Sequence, residues 1–470
     1  MTDHDLLVRG ATVVLEGLGP TPCDLAVTSG RFAAILARGA RASAGETIDA
    51  TGLTVLPGII DAHVHFGLGS PDDWSTESVA AARGGLTTVL NYIQNRESYL
   101  EVAPAERARA EAESVIDFGL SFILMNDSQL GEVERYVTEL GVPSFKYFTN
   151  FKGEEGAYLG VDGTDAGFFF ALCRQIARSP AAVLGVHTEN IEVVWRLSAE
   201  LREQGRDGLR AWTDSRPDMV EADEMATAFL FASETGATIY IPHLSSRAGL
   251  EVYRAHLARG GRGYVETCPH YLTHTLDSEI GGLAKVNPPL RTAADVEALW
   301  AGIADGTIAV VGSDHNSRTR ERKMGSIWKA SAGFPGVTTM LPVLLSEGYH
   351  KRGLSLTRIA ELVSSSPARI FGMYPRKGTI AVGSDADLTL VDLDREEVVD
   401  SSRFGSHADY SIYDGWRLRG WPTATIVRGA VVMRDGEIIA PPGHGTFIDR
   451  PVASDEVVGR ALAAAGVAGA

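Results

Sequence analysis

Short runs of apolar and β-branched residues recur through the middle of the chain, each bounded by glycine, proline or polar clusters. Runs of this length and composition predict buried strands. They cover residues 53–61, 85–92, 118–125, 142–148, 181–187, 237–243, 263–270 and 307–314. The stretches between them have helical character, such as 103–116 and 221–236, and the second ends at Gly236, a typical helix C-cap.

Continuous apolar strands that alternate with helices indicate parallel β–α units whose sheet is covered on both faces. Eight such units close a barrel, so the predicted fold class is α/β with a (β/α)8 TIM barrel over residues 53–375. A doubly wound open sheet is the alternative. It would place a glycine-rich phosphate turn after the first strand, whereas the residues after 61 read AHVHF.

The two ends of the chain have a different pattern, of short strands separated by turns. Neither residues 1–52 nor residues 376–450 make a convincing domain alone, and together they predict one composite β-sandwich. A tight turn is predicted at Arg434–Gly436. The last stretch, 451–470, is alanine-rich and is interpreted as a helix, a frayed tail or an arm onto a partner subunit.

Histidine, lysine and aspartate residues stand at the ends of five predicted strands. The first run leads into His63 and His65, which are two residues apart and therefore point to the same side of a strand. The others end in or near Lys146, His187, His243 and Asp314. The C-terminal strand ends of a (β/α)8 barrel form one mouth, so these side chains are expected to converge there.

Several members of this set have an ordinary structural explanation when taken alone. His243 fits a hydrogen-bonded core histidine, Asp314 fits a helix cap, and Lys146 fits a lysine that extends from the barrel towards solvent. Their joint placement at strand ends favours a metal site instead.

The residue types suit a centre of two divalent metal ions. Four imidazoles and one carboxylate are ligands for zinc, with manganese and cobalt as alternatives. An ammonium group at Lys146 would repel metals, but its deprotonated amine can add carbon dioxide, and the resulting carbamate can bridge two ions. Asp314 is the candidate acid/base, because it can accept a proton and pass it to a leaving nitrogen.

Composition narrows the function classes. The 470 residues are 44% hydrophobic and 22% charged, as in an ordinary globular protein, and no run of about 18 apolar residues predicts a membrane span. The formal net charge of −17 argues against nucleic acid or anionic membranes as partners. Cys23, Cys173 and Cys268 are few and unpaired in number, and the N-terminus has no signal pattern, so a cytoplasmic location is expected.

At these residues the chain resembles the cyclic amidohydrolases, most closely the dihydropyrimidinase and hydantoinase branch. The matching segments include PGIIDAHVHF, SFKYF, GVHTENIEVV, IYIPHLSS, ETCPHYL, NPPLR and VGSDHN, and the similarity spans nearly the whole chain. The resemblance implies a binuclear metal site, a homotetramer or dimer, and hydrolytic opening of a small-molecule cyclic amide or imide. By position it implies Asp314 as acid/base and six metal ligands: His63, His65, carbamylated Lys146, His187, His243 and Asp314.

Two positions bear on the substrate. The branch usually has SFKxFMAYK, whose tyrosine hydroxyl contacts the substrate carbonyl and the oxyanion, whereas SFKYFTNFK here has Phe151 at that position. Losing one oxyanion donor costs about 10²–10³ in rate, so either another group donates or the substrate differs. Tyr147 is a candidate replacement, although its place on the strand does not simply substitute for residue 151. Asn287, before PPLR, is expected to face the substrate ring, unless it only shapes the following turn.

Two alternative functions stay open. Dihydroorotases and allantoinases usually carry a polar anchor where this chain has Gly67, so an acidic dihydroorotate group has no evident partner. Allantoinases also lack the tyrosine, which keeps an allantoinase-like ureide hydrolase as an alternative. Some relatives keep the fold, lose metal ligands and act as non-catalytic assembly proteins, but all six ligand positions are retained here.

Overall fold

The computed structural model describes residues 3–153, 156 and 164–450. Its strands alternate with helices through the middle of the chain and follow one another closely at both ends. In chain order the strands are β1 (His4–Arg9), β2 (Thr12–Leu15), β3 (Gly19–Thr28), β4 (Arg31–Ala37), β5 (Ala44–Asp49), β6 (Thr54–Pro57), β7 (Ile59–Val64), β8 (Leu86–Gln94), β9 (Asp117–Ile123), β10 (Ser144–Phe148), β11 (Val183–His187), β12 (Ile239–Ile241), β13 (Tyr264–Thr267), β14 (Val310–Val311), β15 (Leu388–Val398), β16 (Arg417–Val427), β17 (Ala430–Arg434) and β18 (Glu437–Ile438).

Strands β7 to β14 form the predicted barrel. Each of these eight strands, all within the described residues, pairs in parallel with the next in sequence. The sheet closes where Val64, at the end of β7, bridges His315, and where the His65 amide donates to the His315 carbonyl at 2.9 Å. The α/β barrel is therefore confirmed, and its C-terminal strand ends surround one mouth.

Helices follow the barrel strands and bury apolar side chains against them. Their bounds are α1 (Asp73–Arg83), α2 (Tyr99–Glu113), α3 (Asp127–Gly131), α4 (Val133–Leu140), α5 (Ala166–Ile176), α6 (Ile191–Glu203), α7 (Leu209–Asp214), α8 (Asp218–Thr235), α9 (Arg247–Ala258), α10 (Ala293–Ala304), α11 (Met340–Val343), α12 (Leu356–Ala360) and α13 (Ser366–Ile370). The two predicted helical stretches correspond to α2 and α8. Ser98 caps α2 by accepting from the Leu100 amide, and α8 ends at Gly236, whose φ of 81° is left-handed as a C-cap requires.

The two chain ends meet in a mixed sheet, which has ten strands among the residues described. Strands β1 to β6 come from the N-terminal end and β15 to β18 from the C-terminal end. They join at β6, which pairs in parallel with β2 and antiparallel with β15. The predicted tight turn links β17 to β18, where Asp435 and Gly436 have φ of 51° and 86°.

The run predicted as one strand over residues 53–61 is in fact two strands with different partners. Its first part is β6, in the sheet of the chain ends, whereas β7 belongs to the barrel. Gly58 lies between them, and a Cβ there would come within 2.5 Å of the Asp387 Cβ, so a side chain would not fit. The run is buried throughout, and because hydrophobicity reports burial and not pairing, the sequence could not show this change of partner.

A buried cluster of charged side chains ties the barrel to the sheet of the chain ends. The Lys377 ammonium, 1% exposed, lies 2.7 Å from Asp117 at the start of β9. It also lies 3.3 Å from Asp385 and 2.5 Å from Asp387, just before β15. Arg428, which follows β16, pairs with Asp117 as well. Charges from the two parts of the fold therefore compensate one another at their junction.

Three remaining expectations concern cysteines, membrane spans and the tail. The cysteines Cys23, Cys173 and Cys268 are all buried and free. Across residues 3–153 and 164–450, no helix combines the length and the apolar character needed to cross a membrane. The predicted tail, 451–470, lies outside the described residues.

Candidate metal centre

The barrel mouth brings together the six side chains that the sequence singled out. His63 is on β7 and His65 follows it, Lys146 is on β10, and His187 is the last residue of β11. The remaining two, His243 and Asp314, lie in the loops two and three residues after β12 and β14. All six are buried or nearly so.

Their donor atoms lie within a few ångströms of one another. Asp314 Oδ1 is 3.2 Å from His63 Nε2 and 3.3 Å from His65 Nε2, and the three donor atoms lie within 4.8 Å of each other. Lys146 Nζ is 2.8 Å from His63 Nε2. On the other side, His187 Nδ1 is 2.9 Å from His243 Nε2. The His63 and His243 rings, 5.4 Å apart, join the two groups into one cluster.

Two members of the cluster have left-handed backbone conformations. His243 has φ of 47° and Asp314 has φ of 50°. Such conformations cost of order 1–3 kcal/mol in a residue other than glycine and are found at functional sites. Here they turn the chain sharply after short strands, so that both side chains lie over the mouth.

Burial sets the protonation of the cluster. It lowers the pKa of His63 to about 3 and that of His65 to about 4, and holds the pKa of His243 well below its usual value. It also lowers the pKa of Lys146 to about 8. The imidazoles of His63, His65 and His243 are therefore neutral at physiological pH, and their lone pairs are available to a ligand.

The carboxylate of Asp314, in contrast to the neutral imidazoles, is held in its charged form. Burial alone would raise the pKa of Asp314, but the electrostatic interaction with His63 and the hydrogen bond from His65 hold it well below the usual range. Neutral imidazoles and an ionised carboxylate, all desolvated and convergent, are the donor set that divalent metals of the zinc type prefer. The residues present therefore fit such ions.

Two buried glutamates orient two of the histidines, each by a contact to one ring nitrogen. Glu266, on β13, is 2.8 Å from His63 Nδ1 through Oε1 and accepts from the Tyr240 hydroxyl at 2.5 Å through Oε2. Burial raises the pKa of Glu266 to about 8. Glu189 Oε2 lies 3.0 Å from His187 Nε2, and Glu189 Oε1 lies 3.5 Å from Arg216 Nε. Such partners fix the tautomer and the orientation of a ligating histidine.

Asp61, on the first barrel strand β7, connects that strand to the loop that carries Asp314. Its Oδ1 accepts from the His63 amide and from the Ser313 amide, both at 3.1 Å. Burial raises its pKa to about 7. Sequence analysis did not identify Glu266, Glu189 or Asp61, although a charged residue within each buried apolar segment was an available signal.

A cavity of about 860 Å³ opens above the cluster. Its walls are strongly aromatic and include Trp195, Trp212, Trp328, Phe148 and Phe151. The Phe151 ring stacks flat on that of Phe148, with centroids 4.0 Å apart, and Phe148 in turn stacks on the His187 ring at 5.3 Å.

The structure locates the other residues weighed for the substrate. Asn287 lines the cavity, and its Oδ1 has no hydrogen-bond partner among the described residues.

The suggestion that Tyr147 replaces the absent tyrosine is wrong, because Tyr147 does not line the cavity. Its ring stacks on Phe169 of α5 at 4.7 Å, and its hydroxyl bonds to Thr164 at 3.1 Å. Adjacent strand residues point to opposite faces, so Lys146 faces the mouth and Tyr147 faces the helices.

Comparison with known proteins agrees with this architecture. The model of the amidohydrolase family matches residues 54–432, and the chain belongs to that family. A D-hydantoinase from Rhizobium radiobacter is 34% identical, with 95% of this chain and 99% of the relative covered. An allantoinase from Rubrobacter xylanophilus is 36% identical, with 95% and 98% covered. The solved structure of an L-hydantoinase (dihydropyrimidinase) from Arthrobacter aurescens is similar with a TM-score of 0.88 at 32% identity, covering 95% of this chain and 99% of that one.

Proposed function

We propose that this chain is a metal-dependent hydrolase that opens the C–N bond of a cyclic amide, imide or ureide. The observation that carries this proposal is the convergence of six donor side chains below a cavity of about 860 Å³. Hydantoin and allantoin, the compounds for which the relatives are named, are both cyclic ureides. Their rings are small enough for such a cavity, which is typical of small-molecule sites.

The proposed cofactors are two divalent metal ions, zinc first, with manganese or cobalt as alternatives. The neutral imidazoles and the ionised carboxylate described above support this choice. Such ions, when bound, polarise a carbonyl oxygen and lower the pKa of a water molecule. The proposed ligands are His63, His65, Lys146, His187, His243 and Asp314.

Lys146 is proposed to carry a carbamate. The uncharged Nζ attacks the carbon of carbon dioxide, the N–C bond forms as one C=O π bond gives its electron pair to oxygen, and Nζ releases one proton to solvent, so that a neutral amine becomes an anion with two oxygen atoms. A Lys146 pKa of about 8, set by burial, supports this step, because a substantial fraction of the amine is uncharged near neutral pH. An anion also suits the position of Lys146 beside His63 Nε2 better than an ammonium would once cations bind.

Asp314 is proposed as the acid/base. Its carboxylate accepts the proton that the attacking water loses as the new C–O bond forms. It then donates that proton to the ring nitrogen as the C–N bond breaks, so the products are a neutral nitrogen and a carboxylic acid, which ionises by releasing its remaining proton to solvent. The carboxylate is held by His63 and His65, which fixes where the proton is carried.

The substrate ring is proposed to lie between Asn287 and the stacked pair Phe148–Phe151. The unpartnered Asn287 Oδ1 is suited to accept from an N–H of a ureide or imide. Phe151 contributes an apolar face and no hydrogen bond. The absent hydroxyl favours an allantoin-like ureide as the second candidate substrate, in keeping with the allantoinase relative at 36% identity.

A substrate panel tests the proposal. Metal-reconstituted protein is incubated with hydantoin, dihydrouracil, allantoin, succinimide and a lactam, and ring opening is followed by appearance of the carboxylate product. We expect turnover of at least one ureide, and loss of that turnover in Asp314→Asn with the fold retained. Wild-type protein that binds no divalent metal and opens none of these rings would instead support a non-catalytic assembly function.

Two further properties are proposed on less direct grounds. The resemblance to hydantoinases supports a homotetramer or dimer, which light scattering of the purified protein would distinguish from a monomer. The three buried free cysteines support a reducing, cytoplasmic compartment. Nucleic acid and membranes are not proposed as partners, given the net charge of −17.

A further inference from the structure

We propose that the outer part of the cavity is a subsite for an acidic substituent of the substrate, bound by Arg202 and Lys329. The inference rests on the proposed function and names a class of substrate for it: cyclic ureides or imides whose side chain ends in a carboxylate. It adds a second contact region to the ring contacts proposed for Asn287 and Phe151.

The cavity is larger than the ring of such a substrate requires. Its volume of about 860 Å³ lies in the upper part of the range for sites that hold drug-sized ligands, and a bare ureide ring is much smaller than those. Helix α6 begins four residues after His187 and lines the cavity from Val194 to Arg202. At about 1.5 Å per residue, this length of helix spans about 12 Å. The cavity therefore has room for a substituent that extends from the ring along α6.

The segment 326–333 forms another wall and is held in place before any ligand binds. Trp328 Nε1 donates to the Arg206 carbonyl at 3.0 Å, which fastens the segment to the chain just after α6. The buried Lys323 ammonium donates to the Ser331 carbonyl at 2.8 Å. A wall that is fixed in advance loses little conformational entropy on binding. The outer part of the cavity is therefore built to receive a ligand.

Arg202 is the cation best placed to bind an anion there. Its guanidinium stacks on Trp328, with Cζ 4.9 Å from the ring centroid. Stacking holds the planar group on an aromatic face, while its N–H donors lie in the plane of the fork and suit a carboxylate. Among the described residues, neither Arg202 nor Lys329 forms an ion pair with a carboxylate. Both cations line the cavity and are exposed.

The charges that line the cavity differ from those of the whole chain. The chain has 60 acidic and 43 basic residues. Among the described residues that line the cavity, however, Asp314 is the only one with a carboxylate, and it belongs to the metal centre. An outer wall with cations and no carboxylate attracts an anionic group and disfavours a cationic one.

The aromatic side chains of the same walls indicate what joins the ring to the carboxylate. Trp195, on α6, is 37% exposed and lines the cavity together with Trp328. Such faces pack against alkyl or aromatic groups. The subsite therefore fits an apolar linker that ends in a carboxylate, which the Arg202 fork can bind through two parallel hydrogen bonds.

Three matched substrates test this subsite. They are derivatives of a ring that the wild type opens, hydantoin first, with one alkyl chain that ends in a carboxylate, in its primary amide or in an amine. We expect kcat/KM of the zinc-loaded wild type to be higher for the carboxylate than for the amide on the order of tenfold, as two solvent-exposed ion pairs would give. The amine should be the poorest substrate. Higher ionic strength should reduce the preference, because the two cations are exposed.

Substitution of the two cations assigns the preference to them. Arg202→Gln and Lys329→Gln should each lower the ratio of kcat/KM between carboxylate and amide, and the double variant should bring it close to one. The loss should be in KM with kcat retained, because a contact remote from the reacting bond acts equally on ground state and transition state. Arg196→Gln is the matched control, an exposed arginine of α6 outside the cavity lining, and should match wild type.

Two results would overturn the inference and leave the proposed function standing. One is equal kcat/KM of the wild type for the carboxylate and the amide. The other is a double variant that loses activity on both substrates alike, as a merely structural role would cause. Where the double variant does not fold, the salt dependence of the wild type decides, and a preference that high salt leaves unchanged overturns the inference. Wild-type protein that opens none of the rings in the substrate panel would refute the proposed function itself, and this inference with it.

Discussion

Replacing Glu266 by glutamine is the most direct test of how the metal centre is held. Glu266 is completely buried and touches two proposed ligands, because its Oε1 lies 2.8 Å from His63 Nδ1 and accepts from the His243 amide at 3.2 Å. Its Oε2 accepts from Tyr240 at 2.5 Å. Glutamine preserves the shape, but it cannot ionise, and its NH2 cannot accept a hydrogen bond. One of these contacts must therefore be lost.

The expected loss of metal affinity follows from the number of ligands that the substitution affects. Loss of an outer partner of a ligating histidine weakens metal binding by about 10- to 100-fold, which corresponds to about 1.4–2.7 kcal/mol. We expect Glu266→Gln to reach the upper part of that range, because Oε1 is the shared partner of His63 and of the His243 amide, so that weakening it affects both ligands. Tyr240→Phe keeps the carboxylate and removes one hydrogen bond, worth about 1 kcal/mol, so its effect should be smaller.

The assay is a competition for zinc against a chromophoric chelator, with folding monitored by circular dichroism. Glu221→Gln is the matched control, because Glu221 is also a buried glutamate but bonds to Ser245, Ser246 and Arg291 instead of to a proposed ligand. The Glu221→Gln variant should lower the free energy of unfolding and leave metal affinity unchanged. Equal metal affinity in Glu266→Gln and wild type, or an equal loss in Glu221→Gln, would refute the reasoning.

Two other substitutions separate chemistry from stability. Lys146→Ala should lose both metal binding and turnover while folding normally; two tightly bound ions in this variant, measured by elemental analysis, would exclude the bridging role of the lysine. Lys377→Met should leave metal affinity unchanged but lower the free energy of unfolding by about 3–5 kcal/mol, because it removes the buried cation that three buried carboxylates share, although Asp117 keeps Arg428 and Asp385 keeps Arg376. Chemical denaturation measures this loss, and a change below about 1 kcal/mol would contradict it.

The barrel and the proposed ligands could be predicted because both depend on local patterns with a known spatial consequence. Apolar runs alternating with helices indicate parallel strands, and the C-terminal ends of parallel strands must share one mouth. His63 and His243 therefore came together although they are separated by more than a hundred residues, and Lys146 and His187 lie beside them. No contact between individual side chains had to be known for this prediction.

The remaining features depend on contacts between distant segments. Glu266 reaches His63 from a strand more than two hundred residues away, and nothing near either residue in sequence indicates their pairing. The left-handed conformations of His243 and Asp314 are uncommon outside glycine, and although histidine and aspartate adopt them more often than most residues, the residue type alone does not indicate at which position they occur. The change of partner between β6 and β7 is equally invisible, because both strands are buried.

The aromatic wall explains how the chain can recognise a ring without the tyrosine of its relatives. Phe151 is 8% exposed and stacked on Phe148, which is itself stacked on the His187 ring. These contacts depend on the aromatic face and do not require a hydroxyl. Tyr147 points away from the cavity, so it does not supply the missing group. We therefore propose that the substrate is oriented by ring packing against Phe151 and by polar contact with Asn287, whose Oδ1 has no hydrogen-bond partner among the described residues. A planar ureide offers both a flat face and an N–H donor, which is why we favour it over a simple lactam.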